Sequence, residues 1–275
     1  MTALEDATAI YWHEGNLLTG ETVAMSLSDP GFLYGATVFT TLRVYDRDLH
    51  HPWTAWNAHR ERTQRSFQTL QWREPDWQRV EQGAIALAQT YPVLRITLFP
   101  DGRELIIGRA LPTHLMNHQK QGIIAWVADE PIYCRSLSDH KTGNYLGCWL
   151  ALQTAKRREA QEAILTNAQG HWLETSTGNL WGWAQGAWWT PPLGVGILPG
   201  VLRSRLLQGL EQQGITVIQQ PWTMATVAQF TTLAYSNSVV AVRPIRTILQ
   251  GTVSVNYNPD HEKITRLNTA WQSVS

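Results

Sequence analysis

Short hydrophobic runs separated by turn residues dominate the first 110 positions and predict strands. Segment 38–45 is rich in β-branched and aromatic residues, which favours an extended conformation. Segments 93–99 and 104–110 have the same character, and Pro100-Asp101-Gly102-Arg103 lies between them. Because Pro, Asp and Gly are typical turn residues, this arrangement predicts a β-hairpin.

Two longer segments without internal Pro predict helices in the same region. Segment 54–70 contains neither Gly nor Pro and begins with Thr54, a residue type that caps helix N-termini. Segment 76–90 follows as a second helix, which Pro92 would limit. The pattern of strands with single interspersed helices indicates an α+β fold with much antiparallel sheet.

The polar, weakly periodic segment 111–121 predicts a break between two halves of the chain. We expect a smaller N-terminal α/β domain at 1–115, a linker at 116–122 and a larger C-terminal domain at 123–275. In the second domain a Gly/Pro turn at 196–199 leads directly into a predicted helix.

Composition narrows the class of protein. Hydrophobic residues make up 43% of the chain, enough to form a core, and 22 Lys plus Arg balance 22 Asp plus Glu. A neutral chain without a basic stripe argues against nucleic-acid binding, and the absence of a run of about 18 apolar residues argues against a membrane span. Cys134 and Cys148 lack metal-site spacing, so we expect no metal, no disulfide and a reducing cytoplasm. The first residues also lack a signal-peptide pattern.

Four separated features could carry chemistry. Lys141 precedes an apolar segment, where its amine could enter a cleft and condense with a carbonyl. Glu174 ends a short apolar run, and a carboxylate there could hold a proton on a pyridine nitrogen. The turn before Val201 opens a helix whose free N–H groups could bind phosphate, and Arg62 could add a bidentate charge. Each feature alone is more typical of a solvated surface or a plain helix cap.

Their order along the chain is more specific. His59-x-x-Arg62, Lys141-Thr-Gly-Asn-Tyr145, Glu174 followed by Gly178-Asn-Leu-Trp181, Ile197-Leu-Pro-Gly200 and Ser236-Asn-Ser238 occur in this order. This series resembles the class IV aminotransferase family, over about residues 11–245. The resemblance implies two α/β domains of the D-amino acid aminotransferase-like, fold-type IV kind, pyridoxal 5′-phosphate (PLP) as cofactor, and a homodimer.

The resemblance also implies roles for individual residues. Lys141 matches the lysine that forms the Schiff base with PLP, and Glu174 matches the carboxylate at the pyridine nitrogen. The remaining matches are residues at the phosphate or the phenolic oxygen of the cofactor: Arg62, Tyr145, Val201, Leu202, Asn237 and Ser238. Leu202 stands where aminotransferases often have Thr, so one side-chain contact is missing.

Three short sequence features resemble one group of enzymes within the family. Phe39-Thr-Thr41, the shortened spacing after Lys141, and Asn237-Ser238 resemble aminodeoxychorismate lyases rather than branched-chain aminotransferases. Segment 34–39, which begins at Tyr34, instead resembles the branched-chain form. We therefore expect a PLP-dependent 4-amino-4-deoxychorismate lyase that produces 4-aminobenzoate and pyruvate for folate synthesis, with Thr41 assisting proton delivery to the leaving group.

Other functions stay open at this point. The main alternative is a branched-chain or D-amino acid aminotransferase, which needs a keto acid as second substrate. A non-catalytic binding protein or a structural protein with this fold is a further alternative. The substrate of the expected lyase is a dicarboxylate. Four residues could contact this substrate: Tyr34, Arg43, Arg95 and Arg135.

Overall fold

The computed structural model describes residues 9–259 and 262–274, which divide into two compact units. The N-terminal unit comprises Met1–Leu111 together with Lys141–Asn144, and the C-terminal unit comprises Pro112–His140 and Tyr145–Ser275. Helices and sheets are mixed within each unit, so the predicted α+β class is confirmed. Among the described residues, no helix combines the length and apolar character needed to cross a membrane.

The N-terminal unit is built on one antiparallel sheet. Its elements are β1 (Ile10–His13), β2 (Asn16–Thr19), α1 (Pro30–Tyr34), β3 (Val38–Arg43), α2 (Trp56–Leu70), α3 (Trp77–Ala88), β4 (Val93–Leu98) and β5 (Glu104–Arg109). The strand order is β2-β1-β5-β4-β3, and the predicted hairpin between β4 and β5 is confirmed. This order places β3 at one edge of the sheet.

Strand alternation gives β3 two chemically different faces. Val38 and Leu42 point into the core and are 1% and 0% exposed. Thr40 lies between them on the same face, opposite Ile96 of β4. Phe39 and the neighbouring odd positions therefore project from the other face.

The start of α2 differs from the expectation. The helix begins at Trp56, and its N-cap is Ala55 in a left-handed conformation (φ 55°), without a side-chain cap. The Thr54 hydroxyl instead donates to the Asp48 carbonyl and accepts from the Tyr45 N–H. Thr54 therefore stabilises the preceding loop, a choice that depends on a tertiary contact and not on local pattern.

A buried carboxylate joins three elements of this unit. Glu104 is 0% exposed and accepts two hydrogen bonds from Arg79, at 2.6 and 3.0 Å. It also accepts from the Trp12 indole at 3.1 Å and from the Gly15 N–H at 2.8 Å. Both carboxylate oxygens are thus satisfied, which removes the large cost of burying an unpaired charge.

The C-terminal unit contains a larger mixed sheet. Its helices are α4 (Leu115–Gln121), α5 (Leu146–Arg157), α6 (Val201–Gln212), α7 (Met224–Val227) and α8 (Glu262–Ala270), with short 3₁₀ turns at Pro131–Tyr133 and Trp271–Ser273. Its strands are β6 (Ile123–Ala128), β7 (Glu162–Thr166), β8 (Trp172–Thr175), β9 (Asn179–Ala184), β10 (Ala187–Thr190), β11 (Val217–Gln219), β12 (Thr232–Asn237), β13 (Ala241–Gln250) and β14 (Val253–Asn256).

Part of this sheet closes on itself. The strand order is β11-β10-β9-β12-β13-β6-β7-β8, and β14 pairs with β13. An additional pairing joins β8 back to β9 through Glu174 and Asn179. Strands β9, β12, β13, β6, β7 and β8 therefore form a closed ring, and the side chains that point into it are excluded from solvent.

The segment expected to be a linker at 116–122 is mostly helical. It forms α4, which packs on β13 through buried Leu115 and a hydrogen bond from the Gln119 amide to the Val240 carbonyl. The segment belongs to the C-terminal unit, whose first residue is Pro112. A seven-residue surface helix buries one apolar side chain, which is too weak a periodic signal to distinguish from a polar loop.

Candidate active-site residues

Lys141 is held against the edge of β3 by backbone hydrogen bonds. The Phe39 N–H donates to the Lys141 carbonyl at 2.8 Å, and the Gly143 N–H donates to the Thr37 carbonyl at 2.7 Å. Val38 and Thr142 form an isolated antiparallel bridge between these two bonds. The lysine segment thus extends the sheet, although it lies about 100 residues later in the chain. Its Nζ is 4.7 Å from the centroid of the Phe39 ring.

Thr41, a predicted catalytic residue, and Arg95, a predicted substrate residue, lie on the same face of the sheet as Phe39. Thr41 follows two positions along β3 and lies opposite Arg95 of β4. The Arg95 guanidinium carbon is 3.6 Å from the Phe39 ring centroid, so Lys141 and Arg95 both contact the same aromatic ring. The Arg95 cation and the Lys141 amine thus contact one ring, and strand alternation places Thr41 on the same face.

Arg43 and Tyr34 are placed differently. The Arg43 guanidinium lies 4.7 Å from the centroid of the Tyr45 ring, further along β3. Tyr34 ends α1 with a side chain that is 76% exposed. Their roles at the substrate stay predictions.

Arg62 is a residue of α2, and its side chain contacts the opposite face of β3. Its Nη2 donates to the Thr40 hydroxyl at 2.8 Å, and the same hydroxyl is 2.6 Å from Nδ1 of His59. All three residues are buried. Sequence reasoning singled out Arg62 but not Thr40. The alternation of β3 could have identified it, because Thr40 is a polar residue in an otherwise apolar row.

Glu174, the third residue of β8, lies at the centre of a hydrogen-bond network in the C-terminal unit. Its Oε1 pairs with Arg135, and its Oε2 accepts from the Leu198 N–H at 3.0 Å and from the Asn179 amide at 3.4 Å. The side chains of Arg135 and Glu174 are 5% and 4% exposed. Arg135 was expected to contact substrate; the structure instead pairs it with Glu174.

Arg135 also anchors the segment that leads to the lysine. Its Nη2 donates to the carbonyls of Ser138 and His140, at 3.1 and 3.0 Å. One planar guanidinium therefore links the Glu174 carboxylate to the backbone immediately before Lys141. Its guanidinium carbon is 5.3 Å from the Tyr145 ring. Burial, and to a smaller extent the electrostatic effect of the neighbouring Cys148, raises the pKa of Tyr145, so its phenol stays protonated.

The N-terminus of α6 has the features of a phosphate site. Gly200 is its N-cap, and no described side chain caps the helix. A Cβ at Gly200 would lie 2.1 Å from Oδ1 of Asn179, so a side chain does not fit there. Val201 and Leu202, the first helical residues, are buried. Uncapped N–H groups and the helix dipole together favour an anion at this position.

Asn237 shapes the turn that presents Ser238. Its Oδ1 accepts from the N–H groups of Val239 and Val240, both at 3.0 Å. Its amide donates to the Thr177 hydroxyl at 3.4 Å. These bonds occupy the Asn237 side chain, while Ser238 is partly exposed.

A second buried carboxylate, missed at the sequence level, lies behind the loop that follows Glu174. Glu162 of β7 accepts hydrogen bonds from the hydroxyls of Ser176 and Thr177 and from the Ala163 N–H. It is 2% exposed. Burial raises the pKa of this carboxyl, against the opposing effect of its hydrogen bonds. The local sequence gave no sign of this network, because Glu162 is separated from its two hydroxyl partners by more than a dozen positions.

We expect Glu162→Gln to alter the pH dependence of stability. A carboxyl with a raised pKa binds its proton more tightly in the folded than in the unfolded protein. The free energy of unfolding must then fall as the pH rises from 4.5, the ordinary pKa of a glutamate carboxyl, toward the higher pKa of the folded protein. Glutamine cannot ionise, so the variant lacks this part of the loss. Urea titrations between pH 4 and pH 8 measure it, and parallel profiles for the two proteins would contradict the assignment.

The donor set fits PLP. An aldehyde needs an amine such as that of Lys141, a pyridine nitrogen needs a carboxylate such as Glu174, and a phosphate needs an uncapped helix N-terminus and a guanidinium. Each of these groups is present, and no described side chain caps the α6 N-terminus at Gly200.

Comparisons with known proteins agree with this chemistry. The chain is 27% identical over 235 residues to an aminodeoxychorismate lyase from Vibrio harveyi, covering 80% of this chain and 85% of that protein. It is 27% identical over 106 residues to a branched-chain-amino-acid aminotransferase from Escherichia coli K12, covering 38% of this chain and 34% of that protein.

A solved structure supports the fold. The PLP-bound form of a hypothetical aminotransferase from Mycobacterium tuberculosis superposes with a TM-score of 0.82 at 18% identity, covering 96% of this chain and 98% of that one. The family model for amino-transferase class IV matches residues 37–248. The chain therefore belongs to the class IV aminotransferase family, whose enzymes use PLP.

Proposed function

We propose that this enzyme is a 4-amino-4-deoxychorismate lyase, which converts its substrate to 4-aminobenzoate and pyruvate. The observation that carries the proposal is the place of Thr41. Its side chain shares a face of the sheet with Phe39, whose ring contacts Lys141 Nζ at 4.7 Å. Elimination of an enolpyruvyl group needs one group that removes a proton and another that delivers one, and an amine and a hydroxyl suit these tasks.

The residues that would hold PLP follow from the donor set. The lysine amine of Lys141 would bind its aldehyde, and the Glu174 carboxylate would keep a proton at the pyridine nitrogen. Arg62, Ser238 and the N–H groups of Val201 and Leu202 would bind the phosphate. Tyr145, protonated and close to Arg135, would donate to the phenolic oxygen.

The chain's own side chains then carry the proton transfers. When bound, PLP withdraws electrons from the substrate carbon that carries nitrogen. The neutral amine of Lys141 removes the proton from that carbon. The Thr41 hydroxyl gives a proton to the departing enolpyruvyl group, and the Lys141 ammonium returns one to Thr41, so that the proton taken from the ring carbon ends on pyruvate. Aromatisation of the ring makes the elimination favourable. Arg95 on β4 and Arg43 on β3 would bind substrate carboxylates, and Tyr34 on α1 would also contact the substrate.

The extent of the sequence similarity supports the lyase over the alternative. The likeness to the Vibrio harveyi lyase spans 80% of this chain, whereas the likeness to the aminotransferase spans 38%. A branched-chain or D-amino acid aminotransferase is the second candidate. The Tyr34-Gly-Ala-Thr-Val-Phe39 segment favours it, because this segment resembles the branched-chain form.

We expect the purified holoenzyme to form 4-aminobenzoate from aminodeoxychorismate without any keto acid, since the elimination needs no second substrate. Fluorescence of 4-aminobenzoate and a coupled assay for pyruvate should show equal amounts of the two products. Amine transfer that requires 2-oxoglutarate or a branched-chain keto acid, with no 4-aminobenzoate formed, would exclude the lyase and favour the aminotransferase.

We also propose that the enzyme works as a homodimer in the cytoplasm. Apolar side chains exposed on α1 and α5 support an interface between copies: Phe32 is 65% exposed, Leu146 is 61% exposed and Trp149 is 56% exposed. On each of the two helices, large apolar side chains exposed to water are typical of surfaces that a partner covers. Light scattering on the eluting protein distinguishes a dimer of two 31.1 kDa chains from a monomer.

A further inference from the structure

We propose that Thr40 and His59 are positioning residues that orient Arg62 toward the phosphate of the cofactor. The inference rests on the proposed phosphate-binding role of Arg62. It concerns residues to which neither the motifs nor the comparisons assign a task. Thr40 Oγ1 is the shared point of contact, 2.8 Å from Arg62 Nη2 and 2.6 Å from His59 Nδ1.

The number of protons available on these groups determines the direction of each bond. Arg62 can only donate, so the Thr40 hydroxyl accepts from it. The hydroxyl carries one proton, and His59 Nδ1 is the acceptor that lies within reach of it among residues 9–259 and 262–274. The Thr40 hydroxyl thus lies between the Arg62 guanidinium and the His59 ring and contacts both.

Burial protects the contacts among Thr40, His59 and Arg62 from water. Thr40, His59 and Arg62 are 3%, 1% and 7% exposed, so water cannot replace a lost partner. The Thr63 hydroxyl also donates to the His59 carbonyl at 2.8 Å within α2, which further restrains this helix turn. An arginine side chain has several rotatable bonds, and a fixed contact on one nitrogen restricts the orientation of its planar guanidinium.

The two threonines of β3 thus have separate tasks. Strand alternation directs Thr40 toward α2 and Arg62, and directs Thr41 to the face that carries Phe39 and Lys141. Thr40 is argued to act through Arg62, whereas Thr41 is argued to act on the substrate. A test of Thr40 must therefore measure phosphate recognition and not turnover.

We expect Thr40→Val to weaken PLP binding about tenfold while leaving the affinity for pyridoxal, which lacks the phosphate, unchanged. Valine keeps the shape of threonine but removes the hydroxyl. Thr40→Ser keeps the hydroxyl and should bind PLP within about twofold of the unaltered protein. Titration of the apoprotein, followed by tryptophan fluorescence, gives both dissociation constants. Thr69→Val, an exposed position on α2, is the matched control and should change neither constant.

His59 provides an independent pair of variants if Thr40→Val does not fold. His59→Gln retains an oxygen that can accept from Thr40, whereas His59→Leu does not. We expect the Leu variant to lose PLP affinity selectively and the Gln variant to retain most of it. Equal weakening of PLP and pyridoxal, or no change in either, would overturn the inference. Absence of lyase activity in the unaltered protein would instead contradict the proposed function. The ratio of PLP to pyridoxal affinity does not depend on that result.

Discussion

Replacing Lys141 with alanine should abolish the visible absorption of the PLP-loaded protein and lower turnover roughly a thousandfold or more. The imine between a lysine and the PLP aldehyde produces that absorption, and alanine has no amine to form it. The same amine is the proposed base that removes the substrate proton, so both properties should be lost together. Absorption spectra and the 4-aminobenzoate assay measure them on the same preparation.

Chemical labelling locates the bond directly. Borohydride reduction of the unaltered holoenzyme should attach the cofactor to the peptide that contains Lys141. Lys120→Ala is the matched control, because Lys120 is exposed on α4 and should leave both the spectrum and the label unchanged. An unmodified Lys141 peptide beside another labelled peptide would assign the imine to a different lysine.

The largest loss of stability should come from Glu104→Ala. The variant leaves the Arg79 guanidinium, the Trp12 indole and the Gly15 N–H without their shared acceptor. Removing one partner of a buried ion pair costs about 3–5 kcal/mol. The Arg79 side chain is 35% exposed and can regain water, so we expect about 3 kcal/mol, at the lower end.

Urea unfolding monitored in the transition of the N-terminal unit measures this loss. Glu104→Gln keeps the shape and one acceptor oxygen, so its loss should be smaller. Glu21→Ala, at an exposed position, should change the free energy of unfolding by less than about 0.5 kcal/mol. A loss below about 1 kcal/mol for Glu104→Ala would show that the four hydrogen bonds contribute little net stability.

Local patterns predicted the regular elements well. The hairpin of β4 and β5 has a Pro-Asp-Gly turn, and α6 follows a Gly/Pro turn; in both cases neighbouring residues contain the physical cause. Thr54 and α4 differ from expectation because a tertiary hydrogen bond or one buried side chain decided the outcome. Such contacts leave no periodic signal.

Motifs in the sequence pointed to candidate site residues, whose roles stay predictions, but gave no sign of contacts between distant residues. Lys141 and Glu174 lie within recognisable motifs. Arg135 pairs with Glu174 across 39 positions, and Thr40 meets Arg62 across 22. Arginine has many acceptable partners, so its position in the chain cannot distinguish an internal carboxylate from a substrate.

The closed ring of strands links cofactor affinity to unfolding. The pair Glu174–Asn179 joins β8 to β9, and the same two side chains border the α6 N-terminus. In the proposed roles, PLP held by Glu174 and by the α6 N-terminus would bind the protein only while β8 and β9 are paired. By mass action, PLP at a hundred times its dissociation constant adds about 2.7 kcal/mol to the stability of the closed form. Cellular vitamin B6 supply would then govern how long the protein survives proteolysis, as well as how fast it works.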